Sequence, residues 1–331
     1  MYYYDKLRIL KDIFGSEEVY LEEKRITVNG KSYPIINDVI ILLDYWQYPP
    51  SLKMLLNGDS EFMSNKNDFA EDIQFTFGEE WQRFPNILPE HEREFLNYFD
   101  LIALDKFKNM RVCDLGCGIG RWSYFLKDNC RELVLVDFSE AIFVARRNLS
   151  EAKNALFFMG DLKRLPFRDN FVDFLFCLGV LHHLPTNALD EVRGLSKYAP
   201  SLSIYLYYSL DNRVAYFRFL LGLVTVLRKI VSKARNPVFR SYFTWVAASM
   251  FYLPFIYLGK MFKPFGISKY VPLYEGYNEK SFERIRQDVY DRFFTRIEQR
   301  FSKKQIMGLR DTFNKIEISH NLPYWHFICH R

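Results

Sequence analysis

The stretch that most constrains this chain is Arg111-Val-Cys-Asp-Leu-Gly-Cys-Gly-Ile-Gly120, with Arg121 and Trp122 directly behind it. Val112 and Cys113 read as the end of a buried strand, and Ile119 to Asn129 as the helix that follows. Between them Gly116, Gly118 and Gly120 allow a tight turn and leave room for a ligand against bare amides. A dinucleotide turn is G-x-G-x-x-G, and its third glycine would fall at position 121, which is arginine. The spacing present is G-x-G-x-G, with Asp114 two residues ahead of the first glycine. A carboxylate there sits badly with a pyrophosphate and well with a cationic ligand. The glycine spacing disfavours a dehydrogenase.

Bulk properties exclude less. The 331 residues, 49% hydrophobic and 18% aromatic, suffice for one enlarged domain or two small ones. A net charge of +5 does not by itself imply a nucleic-acid partner. The five cysteines form no C-x-x-C pair, which predicts a reduced, cytosolic protein with no metal site. The start, Met1-Tyr-Tyr-Tyr-Asp-Lys6, is charged early, so no signal peptide is expected.

Around the glycine turn, strands and helices alternate at βαβ spacing. Glu132-Leu-Val-Leu-Val-Asp137 is an apolar run ending in an acid about 20 residues after the turn. In doubly wound sheets that position receives ribose hydroxyls, because a carboxylate accepts two hydrogen bonds from a cis-diol. Phe138 can lie against a base, and Ser139 caps a helix to Leu149. Ala155 to Met159 is a third strand, followed by Gly160-Asp161-Leu162, where the acid can accept from an exocyclic amine. Phe171 to Leu178 is a fourth, leading to Gly179-Val-Leu-His182-His183, and Thr186 caps the next helix. Ser201 to Tyr208 is a fifth, with Tyr207 and Tyr208 on opposite faces, so that at most one points into the cleft.

The ordered run V-C-D-L-G-C-G-I-G, L-V-L-V-D-F-S, F-M-G-D-L-K-R-L-P-F, F-V-D-F-L-F-C-L-G-V-L-H-H-L, over about residues 108 to 210, resembles the bacterial class I methyltransferases often called type 11. The resemblance implies S-adenosylmethionine (SAM), a sulfonium, as cofactor. It assigns Asp114, Gly116, Gly118 and Gly120 to the methionine end and Asp137 to the ribose. Phe138, Asp161 and Leu162 go to the adenine, and Leu178 and Gly179 to the pocket floor. The tail, a capped helix from Ser302 and strands Lys315–Ser319 and Tyr324–Cys329, matches the antiparallel pair that ends such sheets.

At the N-terminus, Asn29-Gly30 between β-prone residues predicts a type I′ hairpin, with Tyr33 to Leu43 continuing extended. The segment resembles the strand part of a zinc ribbon fused ahead of some such enzymes. The cysteines a ribbon needs are missing, so a hairpin packing on the main domain is expected. Residues 51–72 read as linker, and Phe75 to Pro85 concentrates aromatics ahead of a helix from about Pro89 to Leu104. There Trp81 and Arg83 face the ligand or pack the helix.

Residues 209–300 interrupt the pattern. From Asp211 to Lys269 ten Lys or Arg face one acid, so this segment carries +9 and the rest of the chain −4. Ser241 to Gly259 has no charge and approaches the ~20 residues that span a bilayer. A single crossing would strand the last two strands across the membrane from their sheet. The segment therefore reads as helices that roof the active site, with a peripheral contact on an anionic membrane surface as the alternative. Val271–Tyr277 and Asp288–Thr295 return towards the core and border the substrate pocket.

The expected fold is α/β: a doubly wound, mostly parallel seven-stranded sheet ending in an antiparallel pair. Its parts are an N-terminal hairpin extension (1–60), a core (73–210), a helical lid (211–300) and a closing helix with two strands (301–331). The expected activity is methyl transfer from SAM to oxygen or nitrogen of a small-molecule, glycan or lipid-linked acceptor, without nucleic acid. His182, His183 and Tyr207 are the catalytic candidates, a histidine suiting a general base near neutral pH. Trp81, Arg83, Arg121 and Tyr208 are the substrate candidates. The alternatives are an RNA or protein methyltransferase docking through the basic insertion, and a non-catalytic scaffold of the same fold. A cytoplasmic location is expected, with the inner membrane face as the alternative.

Overall fold

The computed structural model describes residues 2–56, 78, 80, 81 and 83–331. Most of the expected linker and the aromatic residues Phe75 and Phe77 lie outside them.

Among the described residues eleven strands form one sheet: β1 (Val19–Leu21), β2 (Arg25–Val28), β3 (Lys31–Ile36), β4 (Val39–Ile41), β5 (Arg111–Leu115), β6 (Glu132–Asp137), β7 (Ala155–Met159), β8 (Phe174–Leu178), β9 (Ser201–Tyr205), β10 (Lys315–Ile318) and β11 (His326–His330). Their order is β1-β2-β3-β4-β7-β6-β5-β8-β9-β11-β10. The run from β7 to β9 is parallel, and β11 and β10 close it antiparallel. The order reverses beside β5, so the glycine turn opens at the switch point, where open α/β sheets bind ligands.

The seven-strand expectation is corrected at the other edge. Asn29 and Gly30 do form a hairpin turn, both with positive φ, and Val28 pairs Lys31. Tyr33 to Leu43 does not run straight on. Asn37 and Asp38, again at positive φ, fold it into a second hairpin. The returning strand β4 pairs parallel with β7 through Ile40–Phe158 and Ile41–Met159. The N-terminus is thus part of the main sheet, secured by α1 (Leu7–Phe14). Tyr3 helps to fix it, its hydroxyl donating to Phe157 O at 3.1 Å.

Alternate residues of each strand feed opposite faces. In β6, Val134 and Val136 join one apolar layer with Ile13 and Phe14 of α1 and Val192 of α6 (Ala188–Leu195). Leu133 and Leu135 join the other, with Phe95 of α3 (Glu90–Tyr98), Trp122 and Leu126 of α4 (Arg121–Leu126) and Ile142 of α5 (Ala141–Asn148). The sheet is covered on both faces, as parallel strands require. A short α2 (Pro50–Leu55) stands where linker was expected. The cap of α6 is Asn187, accepting from Leu189 N, and not Thr186, whose hydroxyl turns to Glu191.

The insertion is helical: α7 (Ala215–Val231), α8 (Pro237–Ala247), α9 (Leu253–Phe262), α10 (Tyr274–Tyr277) and α11 (Phe282–Phe294), with one π turn joining α8 to α9. Its separate core gathers Ala248, Tyr252 and Ile256 against Ile285, Val289 and Phe294 of α11. A short α12 (Lys303–Met307) follows, started by a capping box between Ser302 and Gln305.

Candidate active site

One cavity of about 890 Å³ runs from the glycine turn out beneath the insertion helices. At its inner end β5 stops at Leu115, and Gly116, Gly118 and Gly120 follow at φ 77°, 54° and 73°. A Cβ on Gly116 would lie 2.4 Å from Val180, and one on Gly118 would lie 3.0 Å from the Trp81 ring. Both glycines line the cavity. Gly120 does not; its missing side chain makes room for Leu149, 2.6 Å from where a Cβ would stand, so this glycine seats α5 against the turn.

Asp114 also lies outside the cavity. It is buried and accepts a hydrogen bond from Ser123 Oγ at 2.7 Å. Burial pushes its pKa up to about 7, against the opposing Ser123 hydrogen bond. The structure therefore makes this acid a brace under the turn.

Asp137 does border the cavity, at the end of β6. Its Oδ2 accepts from Gly118 N at 2.8 Å, and its Oδ1 accepts from Ser139 N and Oγ at 2.8 and 2.7 Å. Burial raises its pKa, while the Ser139 and Gly118 donors hold it down. Phe138, Asp161, Leu162, Leu178 and Gly179 stand along the same wall. Asp161 accepts from Lys163 N at 3.0 Å and from Gln47 Nε2 at 3.1 Å. Gln47 was not singled out by sequence reasoning; it arrives because the β3–β4 hairpin brings the N-terminal segment against β7.

Of the catalytic candidates, His183 and Tyr207 line the cavity and His182 does not. His182 is fully buried and stacked on Tyr207 at 3.9 Å, and burial drives its pKa well below the usual value. His182 thus stands behind Tyr207, outside the cavity lining, and the structure does not bring it together with the other candidates there. Tyr207 donates to Asp291 Oδ2 at 2.6 Å, and burial, then Asp291, push its pKa well up. His183 Nε2 lies 3.6 Å from Asp291 Oδ1, and its Nδ1 is 2.8 Å from Ile297 O. Asp291, on α11, is thus the acid at the centre of this group.

Tyr207 and Tyr208 both border the cavity, against the expectation of at most one. β9 ends at Tyr205, and beyond it the chain follows Phe301, whose N–H donates to Tyr207 O at 2.8 Å. Strand alternation no longer applies there. Trp81 lines the cavity above Gly118, and the Arg121 guanidinium lies 5.1 Å from the Trp81 ring and 4.5 Å from that of Trp122. Arg83 faces away, donating to Pro237 O at 3.1 Å.

A charged wall completes the inner half. Arg284 donates to Glu94 at 3.0 Å and pairs with Asp288, which takes Lys280 Nζ at 2.7 Å. Burial would raise Glu94, but Arg284 and Lys280 outweigh it and hold its carboxyl low. Glu80 is also buried in the lining, and burial pushes its pKa well up. Val271, Tyr277 and Asp288 line the cavity, as the two returning segments predict. Among the described residues no three His, Cys, Asp or Glu are placed to hold a metal.

Residues 112–197 match a family described as a methyltransferase domain. The chain is 30% identical over 132 residues to an uncharacterized protein of Methanocaldococcus jannaschii, covering 37% of this chain and 55% of that one, so it spans about half that relative's length. It is also similar to a SAM-dependent methyltransferase from Aquifex aeolicus, with 21% identity, 38% of this chain and 71% of that one covered, and TM-score 0.32. A Pyrococcus horikoshii protein gives 27% identity, 38% and 64% covered, and TM-score 0.32. By that match, residues 112–197 are similar to a methyltransferase domain. Around it this particular chain adds four N-terminal strands and the helical insertion.

Proposed function

We propose that the protein transfers a methyl group from SAM to an acceptor enclosed between the sheet and the insertion helices. The observation that carries this is one cavity joining the bare glycine turn and two strand-end acids to the Tyr207–Asp291–His183 group. The residues present fit the cofactor. Gly116 and Gly118 would leave room for its methionine end, Asp137 would take the ribose diol, and Phe138, Asp161 and Leu162 the adenine. Leu178 and Gly179 floor the pocket. When bound, SAM supplies an electrophilic methyl on a sulfonium.

The protein's share of such a displacement is alignment and proton removal. Trp81 and Trp122 close the cavity around the turn, and Arg121 is held between their rings. Tyr207 stays protonated and orients Asp291, which takes the proton of a hydroxyl or ammonium acceptor, with His183 beside it. The test is transfer of tritiated methyl from SAM into a fractionated extract of metabolites and lipids. Wild type should label a discrete fraction and Asp137→Ala none. SAM binding with no fraction labelled would favour a non-catalytic scaffold.

A further inference from the structure

The helices over the cavity carry apolar side chains on their outer side. A surface helix ordinarily buries its apolar stripe. In α7 the stripe Phe219, Leu223, Val226 and Ile230 is 68, 55, 62 and 66% exposed, while Arg228 is buried, donating to Thr295 O at 3.0 Å. The next helix also leaves apolar residues outside, with Val238, Tyr242 and Trp245 all exposed. Pro237–Phe265 is the one helix among the described residues long and apolar enough, by length and composition, to cross a membrane. Crossing conflicts with the topology: β9 precedes it and β11 follows it, and the two pair in one sheet. Its inner side is already used, by Ala248, Tyr252 and Ile256 against α11. Its other residues Met250, Tyr257 and Met261 are exposed, so apolar side chains face outward along both helices.

Two further observations say what this surface meets. Exposed cations edge it, among them Lys229, Lys233, Lys260 and Lys263. Between residues 211 and 270 the one acid is Asp211, and it is occupied by Trp325 Nε1 and Lys303 N at 2.8 and 2.9 Å. Apolar side chains with a cationic margin match an anionic bilayer surface. The same helices also line the cavity. Leu223, exposed on the stripe, borders it too, and Leu220, Val224, Leu227, Val246 and Phe251 make its outer limb aliphatic and aromatic. The cavity therefore grades from charged walls at the glycine turn to an apolar limb under the exposed face.

We propose that α7 to α9 seat the protein on an anionic lipid surface, and that the apolar limb takes the hydrocarbon tail of an amphiphilic acceptor from it. The acceptor's polar end then lies beside Asp291 and the transferable methyl. This rests on the methyl-transfer reading for the reaction; the lipid contact stands separately. Full-length protein is sedimented with vesicles of phosphatidylglycerol and phosphatidylcholine, 1:1, and with phosphatidylcholine alone. Wild type should pellet with the anionic vesicles at least tenfold better. The Phe219→Glu/Val226→Glu/Ile230→Glu variant should stay in the supernatant with its SAM affinity unchanged. The fluorescent amphiphile 11-(dansylamino)undecanoic acid should brighten on binding wild type, and Val246→Arg should weaken it at least tenfold with circular dichroism retained.

No pelleting of wild type, or equal pelleting of the triple variant, overturns the lipid surface, as does a wild-type dimer that the triple variant dissolves. No response of the dansyl probe overturns the amphiphilic acceptor. In each of these cases intact SAM binding leaves the methyltransferase reading in place. Vesicle binding without SAM binding removes that reading and keeps the surface.

Discussion

Two acids at this site do different work because their surroundings differ. Asp291 borders the cavity, is oriented by the Tyr207 hydroxyl at 2.6 Å and stands 3.6 Å from His183. Asp291→Asn keeps the shape and removes the proposed proton acceptor. It should lower the rate of methyl labelling about 10²–10⁴-fold, with SAM affinity within twofold of wild type. Tyr207→Phe should cost less, since it removes only the orienting hydrogen bond. Asp114 lies outside the cavity, with a pKa near 7 in the folded protein. An unfolded aspartate titrates near ~3.9, so the folded state binds the proton more tightly between those values. Asp114 therefore costs stability as pH rises from about 4 to about 7. Asp114→Asn still accepts from Ser123 and escapes that cost. Its melting temperature should gain on wild type by roughly 2–4 °C between pH 5 and pH 8, measured by differential scanning fluorimetry.

Between elements, the insertion is fastened to the core by charge. Arg284 of α11 is buried between Glu94 of α3 and Asp288, with Lys280 paired to the same acids. Removing one member of such a buried group strands its partners and costs about 3–5 kcal/mol. Arg284→Met should lower the melting temperature and make the 211–270 segment cleavable by protease before the core; an unchanged digestion pattern would contradict the coupling. Asp288 fell in a segment expected to border the pocket, but Glu94, Lys280 and Arg284 were not singled out, because nothing local in the sequence pairs residues of α3 with residues nearly 190 positions on. The glycine turn and the βαβ order were legible because each rests on local spacing. β4 was not. Ile40 and Ile41 are short and apolar, and nothing near them names β7 as their partner. His182 and His183 were indistinguishable in the sequence, because which of two adjacent rings faces the cavity depends on the turn of one short helical segment, Leu181–His183.

At the scale of the whole molecule, a mostly parallel sheet has been widened at one edge and carries a helical insertion between β9 and β10. The N-terminal strands extend the sheet past β7 and supply Gln47 to Asp161. The insertion helices supply Asp291 and the apolar limb of the cavity. Both additions border one cavity whose inner end is lined by Gly116, Gly118 and Asp137. The central claim is that this inner end holds SAM. Isothermal titration calorimetry with SAM on wild type and Asp137→Ala tests it most directly. Micromolar binding by wild type, weakened at least tenfold in Asp137→Ala, is the predicted result. A well-folded wild type that shows no heat of binding, or an Asp137→Ala variant that binds as tightly, would contradict it.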